Sequence, residues 1–266
     1  MKNTHTITLL FSLAFTPFIV TADTLSELKQ TLNLLNNTSP ISATLTTTNF
    51  YQQGEGKDKV IRNGNAAVNI SDSSKGLQVI YSSEILSKLE AEASERVKNE
   101  NAETPTLNVI NSNGATKIKS ILSAAPSILR TITQAKFTNE ETVNINGKNL
   151  QQLNFTLPVS AIISDKRTRE YVKKFDSQYS VIIDENGIPL STTLNFSGKG
   201  RAYIVLSVKA SGFEQSHYKV INQRLVRVSN ESGSSFDSTF GYSQRKSNEV
   251  LTIINNQEDS LLAHLN

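Results

Sequence analysis

Apolar positions along this chain follow two periods. In "DTLSELKQTLNLLNN", Leu25, Leu28, Leu32 and Leu35 recur every three or four residues, the spacing of a helix with one buried face. Thr24 and Glu27 stand three apart ahead of that run, in the form of a capping box. The period then drops to two. In "ISATLTTTNFYQQ", Ile41, Ala43 and Leu45 alternate with Ser42, Thr44 and Thr46, which predicts a strand with one apolar face and one Thr-lined face. "GEGKDK" and "DSSKG" supply turn residues, so "VIRNGNAAVNIS" and "LQVIYS" extend the strand into a meander.

From Ser83 the helical period returns. "SSEILSKLEAEASERVKNE" sets Leu86, Leu89, Ala93 and Val97 on one stripe, with Glu84 four residues before Lys88 and Glu92 four before Arg96, the favourable order for pairing along a helix. "NAETPTL" interrupts it. The most apolar helical stretch outside the first 22 residues follows: "KIKSILSAAPSILRTI", with Ile118, Ile121 and Leu122 before Pro126 and Ile128, Leu129 and Ile132 after it. A proline lacks the backbone donor and disfavours helix at the preceding residue, so two helices are expected, the first ending at Ser123 or Ala124 and the second starting near Pro126.

Strands dominate from Ala135. "NGK" at 146–148 and "DENG" at 184–187 separate alternating runs, as hairpin turns do. Between those hairpins "SDKRTREYVKKF" has helical spacing and gathers Lys166, Arg167, Arg169, Lys173 and Lys174. "GRAYIVLSVKAS" is apolar on both faces from Tyr203 to Val208, which predicts a strand covered on each side. "HYKVI", "QRLVRVSNE" and "NEVLTIIN" continue the meander. The count is roughly ten strands and four or five helices with no Pro- or Ser-rich linker, an α+β chain read as a single domain.

The first 22 residues stand apart. "MKNTHTITLLFSLAFTPFIVTA" has a basic start at Lys2, an apolar run from Ile7 to Val20, and Val20 and Ala22 ahead of a cut. That is the form of a cleavable secretory signal, and the run is too short and too interrupted by Thr8, Ser12, Thr16 and Pro17 for a transmembrane helix. The mature domain would then span 23–266. The sequence has no cysteine, so neither a disulfide framework nor a lipid-modified cysteine is available. An exported chain of this kind suits the bacterial periplasm.

Composition narrows the function classes. The formal charge is +3, too dispersed to predict nucleic-acid binding, which needs a concentrated basic patch. Of the three histidines, His5 lies in the signal segment, and His217 and His264 have no second ligand at metal spacing. No nucleophile elbow, phosphate loop or dinucleotide fingerprint is present. Glu140 with Glu141 and Asp184 with Glu185 are adjacent pairs that a strand would split between its faces. The expectation is a non-enzyme with no cofactor and no metal site.

An antiparallel sheet must bury its apolar face, and internal helices on its concave side either fill that face or leave a pocket. The order "APSILRTITQAKFT", "LQQLNFTLP", "YSVIIDENGIPLSTTLNFSGKG" resembles the C-terminal half of the bacterial lipoprotein-localisation carriers (LolA/LolB-like). The leading helix and Thr-rich strand resemble their beginning. A charged helix and linker at 83–105 and the strands after Phe213 fall outside the resemblance. It implies an open antiparallel half-barrel with the helices as a lid over a hydrophobic or lipid-like ligand. Candidate ligand-binding residues are Ile118, Ile121, Leu122, Ile128, Leu129 and Ile132 on the helices and Leu153, Phe155 and Leu157 on the strand. The same residues could instead form a closed core. Arg167, Arg169 and Lys173 are candidates for docking an envelope protein. The expected partners are thus a lipid or acyl-chain ligand and an envelope protein, with peripheral membrane contact, no nucleic acid and a monomeric state.

Overall fold

The computed structural model describes residues 24–202, 206–239 and 241–254. The proposed signal segment and His264 lie outside the described residues.

Ten strands form one antiparallel sheet, an open half-barrel. A leading helix α1 (Thr24–Leu34) is followed by β1 (Ile41–Gln53), β2 (Val60–Ser73) and β3 (Gly76–Ile80). Four helices come next: α2 (Ser83–Lys98), α3 (Pro105–Ser112), α4 (Ala115–Leu122) and α5 (Ala125–Gln134). Then come β4 (Lys136–Ile145), β5 (Lys148–Thr156), two short helices α6 (Val159–Ile162) and α7 (Lys166–Tyr171), and β6 (Val172–Ile183). β7 (Pro189–Ala202), β8 (Leu206–Ile221), β9 (Arg224–Ser238) and β10 (Gly241–Ile253) complete the sheet.

The spatial order is β3-β2-β1-β10-β9-β8-β7-β6-β5-β4. Two meanders, β1–β3 and β4–β10, are joined where β1 pairs with β10 from Ala43↔Ile253 to Gln53↔Ser243. β3 and β4 are therefore opposite edges of the sheet, and the chain between them must cross a face. The helices α2 to α5 make that crossing over the apolar, concave face, where they cover what alternation in the strands has exposed. On β1 the inward set is Ile41, Ala43, Leu45 and Thr47, all buried, and on β2 it is Ala66, Val68, Ile70 and Asp72.

Turn chemistry sets the register. Asn146 and Gly147 both have positive φ, 53° and 80°, between β4 and β5, the conformation that matches a two-residue hairpin to strand twist. Asp184 closes its turn by accepting from the amides of Asn186 and Ile188, each at 2.9 Å. Between β8 and β9, Asn222 and Gln223 also have positive φ, unusual for glutamine. The 37–40 loop braces this turn: Asn222 Nδ2 donates to Pro40 O at 3.1 Å and Asn37 Nδ2 donates to Gln223 Oε1 at 3.3 Å.

Pro126 divides the crossing as its backbone chemistry predicts. α4 ends at Leu122, α5 starts at Ala125, and the Ala124 amide freed by the break donates to Leu225 O of β9 at 2.8 Å. Ala124 and Ala125 are both buried, small enough for the backbone to come this close to the strand. The Leu225 amide in turn donates to Leu35 O just after α1. One residue of β9 thus ties together the first helix and the break.

Four local expectations change. Helices α3 and α6 were not anticipated, and the described residues hold seven α-helices in place of four or five. The apolar stripe of α2 is not a packed face: Ile85 is buried, while Leu86 and Val97 are 47% and 88% exposed. The basic helix is only six residues long, because Val172 pairs with Gly200 and puts Lys173 and Lys174 on β6. "GRAYIVLSVKAS" is not one covered strand, since Ala202 pairs with Leu206 across the β7–β8 hairpin; residues 203–205 lie outside the described ones.

Candidate functional site

Between the concave face and the helices lies an open cavity of about 1010 Å³, at the upper end of the range that holds small-molecule ligands. It exists because small residues occupy its floor. Ser232 and Ser234 of β9 and Ser247 of β10 sit inward where Leu or Phe would fill the space. On the neighbouring β8, Gly212 lets the lining Phe196 ring lie against the strand, since a Cβ there would come within 2.6 Å of it.

The lining is polarised along the sheet. At the β6–β7 end, beneath α5 and α6, it carries the apolar side chains Ile128, Leu157, Ile162, Tyr179, Leu194 and Phe196, with Ala124 and Tyr218 beside them, and α5 adds the polar Ser127, Arg130, Thr131 and Gln134. Burial pushes the Tyr179 phenol well above its ordinary range, and Tyr218 nearby adds to this against a smaller opposing hydrogen bond with Thr192. Burial raises Tyr218 as well. The two phenols stay neutral, with Tyr218 and Thr192 hydroxyls 2.8 Å apart. At the β2–β1–β10 end the lining is polar: Asn49, Tyr51, Arg62 and Arg245 on the strands, Asn108 and Ser112 on α3 and Lys117 on α4.

Two ion clusters fasten α4 over the sheet, one on each side of its apolar stripe. Asp72 of β2 accepts from Lys119 Nζ at 2.8 Å and from Arg224 Nη2 at 2.9 Å. Glu249 of β10 pairs with Lys117 at 2.5 Å and with Arg227 of β9 at 2.9 Å, and Arg227 also reaches Glu214 at 3.5 Å. Both carboxylates are buried inward-facing strand residues, and each is satisfied by one lysine of α4 and one arginine of β9. Burial favours a protonated Asp72, but the hydrogen bonds and charges of Lys119 and Arg224 outweigh it and hold the carboxyl below its ordinary range.

Of the nine candidate ligand-binding residues, Ile128 and Leu157 line the cavity. Ile118, Ile121 and Leu122 are fully packed beneath it against Ile41, Ala43, Leu45, Val68, Ile70, Val226 and Leu251. Ile132, Leu153 and Phe155 lie in the adjoining core with Leu28, Leu32 and Val181, and Leu129 packs partly exposed against that core. The helix pair therefore does two jobs: α4 completes a core, and α5 presents one edge of its apolar face to the cavity.

Of the three candidate docking residues, two make local hydrogen bonds to backbone carbonyls. Arg169 Nη1 donates to Ile163 O and Ser164 O at 2.8 and 2.5 Å, closing the loop before α7. Lys173 is on β6 and donates to Glu170 O at 3.0 Å. Arg167 lies on α7 with its side chain outside the described residues. His217 is exposed on β8 and is not part of the cavity lining.

Sequence reasoning missed Arg62, Tyr51 and Arg245. A signal for them was present: inward alternation through Ile70, Val68, Ala66 and Gly64 on β2, continued one step further, puts Arg62 on the same face. Comparison with family models, with curated proteins and with solved structures gave no match to this chain.

Proposed function

We propose that this chain is an exported, non-catalytic protein of the bacterial periplasm that holds or carries a hydrophobic, lipid-like ligand in its concave cavity. The observation that supports this most is a large cavity with an apolar end left open between a curved sheet and a proline-broken helix pair, in a fold whose core is already complete beneath it. An ordinary closed core has no use for serines at the centre of its inward face, where filling the space would add apolar burial. The resemblance of the strand-and-turn order to the lipoprotein-localisation carriers points the same way. A non-catalytic role accords with the cavity's chemistry, since its lining carboxylate, Glu214, faces Arg227 and burial keeps the Tyr179 and Tyr218 phenols neutral.

Titration with a fluorescent acyl probe tests this reading. The protein should take up the probe with about one equivalent bound at saturation, and Ser232→Phe, which fills the cavity floor, should abolish uptake without unfolding the protein. No uptake by the unsubstituted protein refutes the carrier reading.

A second reading, an envelope interaction protein, is favoured by one feature. α2 exposes Leu86 and Val97 beside its charged residues and packs only through its Ile85, Leu89 and Glu92 side. Leu86→Glu with Val97→Glu should then abolish capture of an envelope protein that the unsubstituted chain retains. Undiminished capture excludes α2.

A further inference from the structure

The cavity's polarity specifies more than a lipid-like ligand. We infer that it takes an anionic amphiphile in one orientation, with the headgroup between Arg62 and Arg245 and the apolar portion toward α5, β6 and β7. This rests on the carrier reading above and adds the ligand's charge and direction to it.

Register brings the headgroup residues together. Tyr51 on β1 is paired with Arg62 on β2 and with Arg245 on β10, so the three side chains leave the same face of adjacent strands. The two arginines are separated by two strand spacings, about 10 Å between backbones. That distance relieves their repulsion and still lets two long side chains close on one anion. The Arg245 guanidinium lies over the Tyr51 ring, 5.2 Å from its centroid, which holds its planar fork in a fixed attitude.

Neutralisation separates these arginines from two other cations of the cavity, while Lys246 beside Arg245 and the exposed Arg130 of α5 also line it without an ion pair among the described residues. Lys117 and Arg227 are matched by Glu249 and Glu214. Among the described residues no carboxylate lies within ion-pair distance of Arg62 or Arg245. The unpaired positive charge is therefore most concentrated where Arg62 and Arg245 stand in register on neighbouring strands, and the Asn108 side chain stands at the same end. Surface arginines at strand ends are ordinary, but these two face into a cavity that gathers its apolar side chains at the other end. Guanidinium groups bind carboxylate and phosphate oxygens through paired N–H donors, so the ligand's headgroup carries such oxygens. A phosphate monoester with a single alkyl chain has the required chemistry, and inorganic phosphate shares its headgroup without the tail.

Calorimetric titration of the mature protein with dodecyl phosphate, dodecyl maltoside, dodecyltrimethylammonium and inorganic phosphate tests the inference. Dodecyl phosphate should bind roughly ten-fold or more tightly than the neutral maltoside, and the ammonium surfactant more weakly than either. The double substitution Arg62→Gln with Arg245→Gln should remove that preference and leave maltoside affinity unchanged. Arg62→Lys with Arg245→Lys should restore part of it. Equal affinity for phosphate and maltoside heads, or a double variant that keeps the preference, overturns the headgroup assignment and leaves the carrier reading intact. Inorganic phosphate binding as tightly as dodecyl phosphate overturns it too, because the tail then contributes nothing. If none of the amphiphiles binds, the carrier reading itself fails. Thermal melting of the variants should match that of the parent, since Arg62 and Arg245 are both exposed side chains.

Discussion

Arg224 Nη2 donates to Asp72 Oδ2 at 2.9 Å, with the arginine side chain 1% and the carboxylate 4% exposed. A second donor, Nη1, reaches Ser39 O at 2.7 Å, while Nε has no partner. The pair joins β2 to the start of β9 beneath α4. Breaking a buried pair by removing one member leaves the other charge stranded. Asp72→Asn is therefore expected to destabilise the fold by about 3–5 kcal/mol in urea denaturation. Lys119 holds the other carboxylate oxygen but is half in solvent. Lys119→Met should cost only about 0–1 kcal/mol, and equal effects of the two changes would place the weight of the cluster elsewhere.

The same carboxylate gives stability a pH dependence of known sign. Its folded-state pKa is held below its ordinary value, so its contribution is complete above the ordinary carboxylate range. That contribution is lost as pH falls through the depressed folded value. Between pH 7 and strongly acid conditions the parent protein should lose more stability than Asp72→Asn, which has no proton to take up. Parallel acid limbs in the two denaturation series would contradict this assignment.

Leu122 is fully buried in the core beneath α4. Leu122→Ala should cost about 2–5 kcal/mol and leave acyl-probe affinity unchanged, because the side chain is not in the cavity lining. Ile128→Ala, at the lining, should change both. If Leu122→Ala weakened probe binding as much as Ile128→Ala, the division of labour between α4 and α5 would be wrong.

What the sequence made legible was what is decided locally. The NGK and DENG turns, the break at Pro126 and the alternation on β1 follow from backbone chemistry or a two-residue period, and the structure has each of them where expected. α3 was not legible because its stability comes from outside its own eight residues. Glu92 of α2, expected to face Arg96, instead accepts from the Thr106 and Leu107 amides at 3.0 and 2.9 Å, and so satisfies the free end of that helix. The basic helix was overestimated because a strand partner, Gly200, competes for Val172. For the site, helical period identified the buried faces of α4 and α5. It could not say that one packs wholly on the sheet while the other packs in a core and turns one edge to a cavity, since both produce the same apolar stripe. The Arg62, Tyr51 and Arg245 row depends on β10 returning beside β1, a pairing of the two chain ends that no local pattern encodes.

Glu92 offers a further check on the helical crossing. Glu92→Ala removes the acceptor of two backbone amides at the start of α3, where a side-chain cap contributes roughly 1 kcal/mol. The substitution should lower stability by about that amount and speed hydrogen exchange at the Thr106 and Leu107 amides, with the exchange of β5 and β6 unaffected. Unchanged protection at those two amides would mean that α3 holds its first turn without α2.

Native mass spectrometry of the protein purified gently from the cells that produce it tests the central claim most directly. The account predicts a bound population heavier than the mature chain by one amphiphile, lost on delipidation and absent from Ser232→Phe. A uniformly unliganded mass, together with no uptake of dodecyl phosphate or a fluorescent fatty acid by the same preparation, would contradict it.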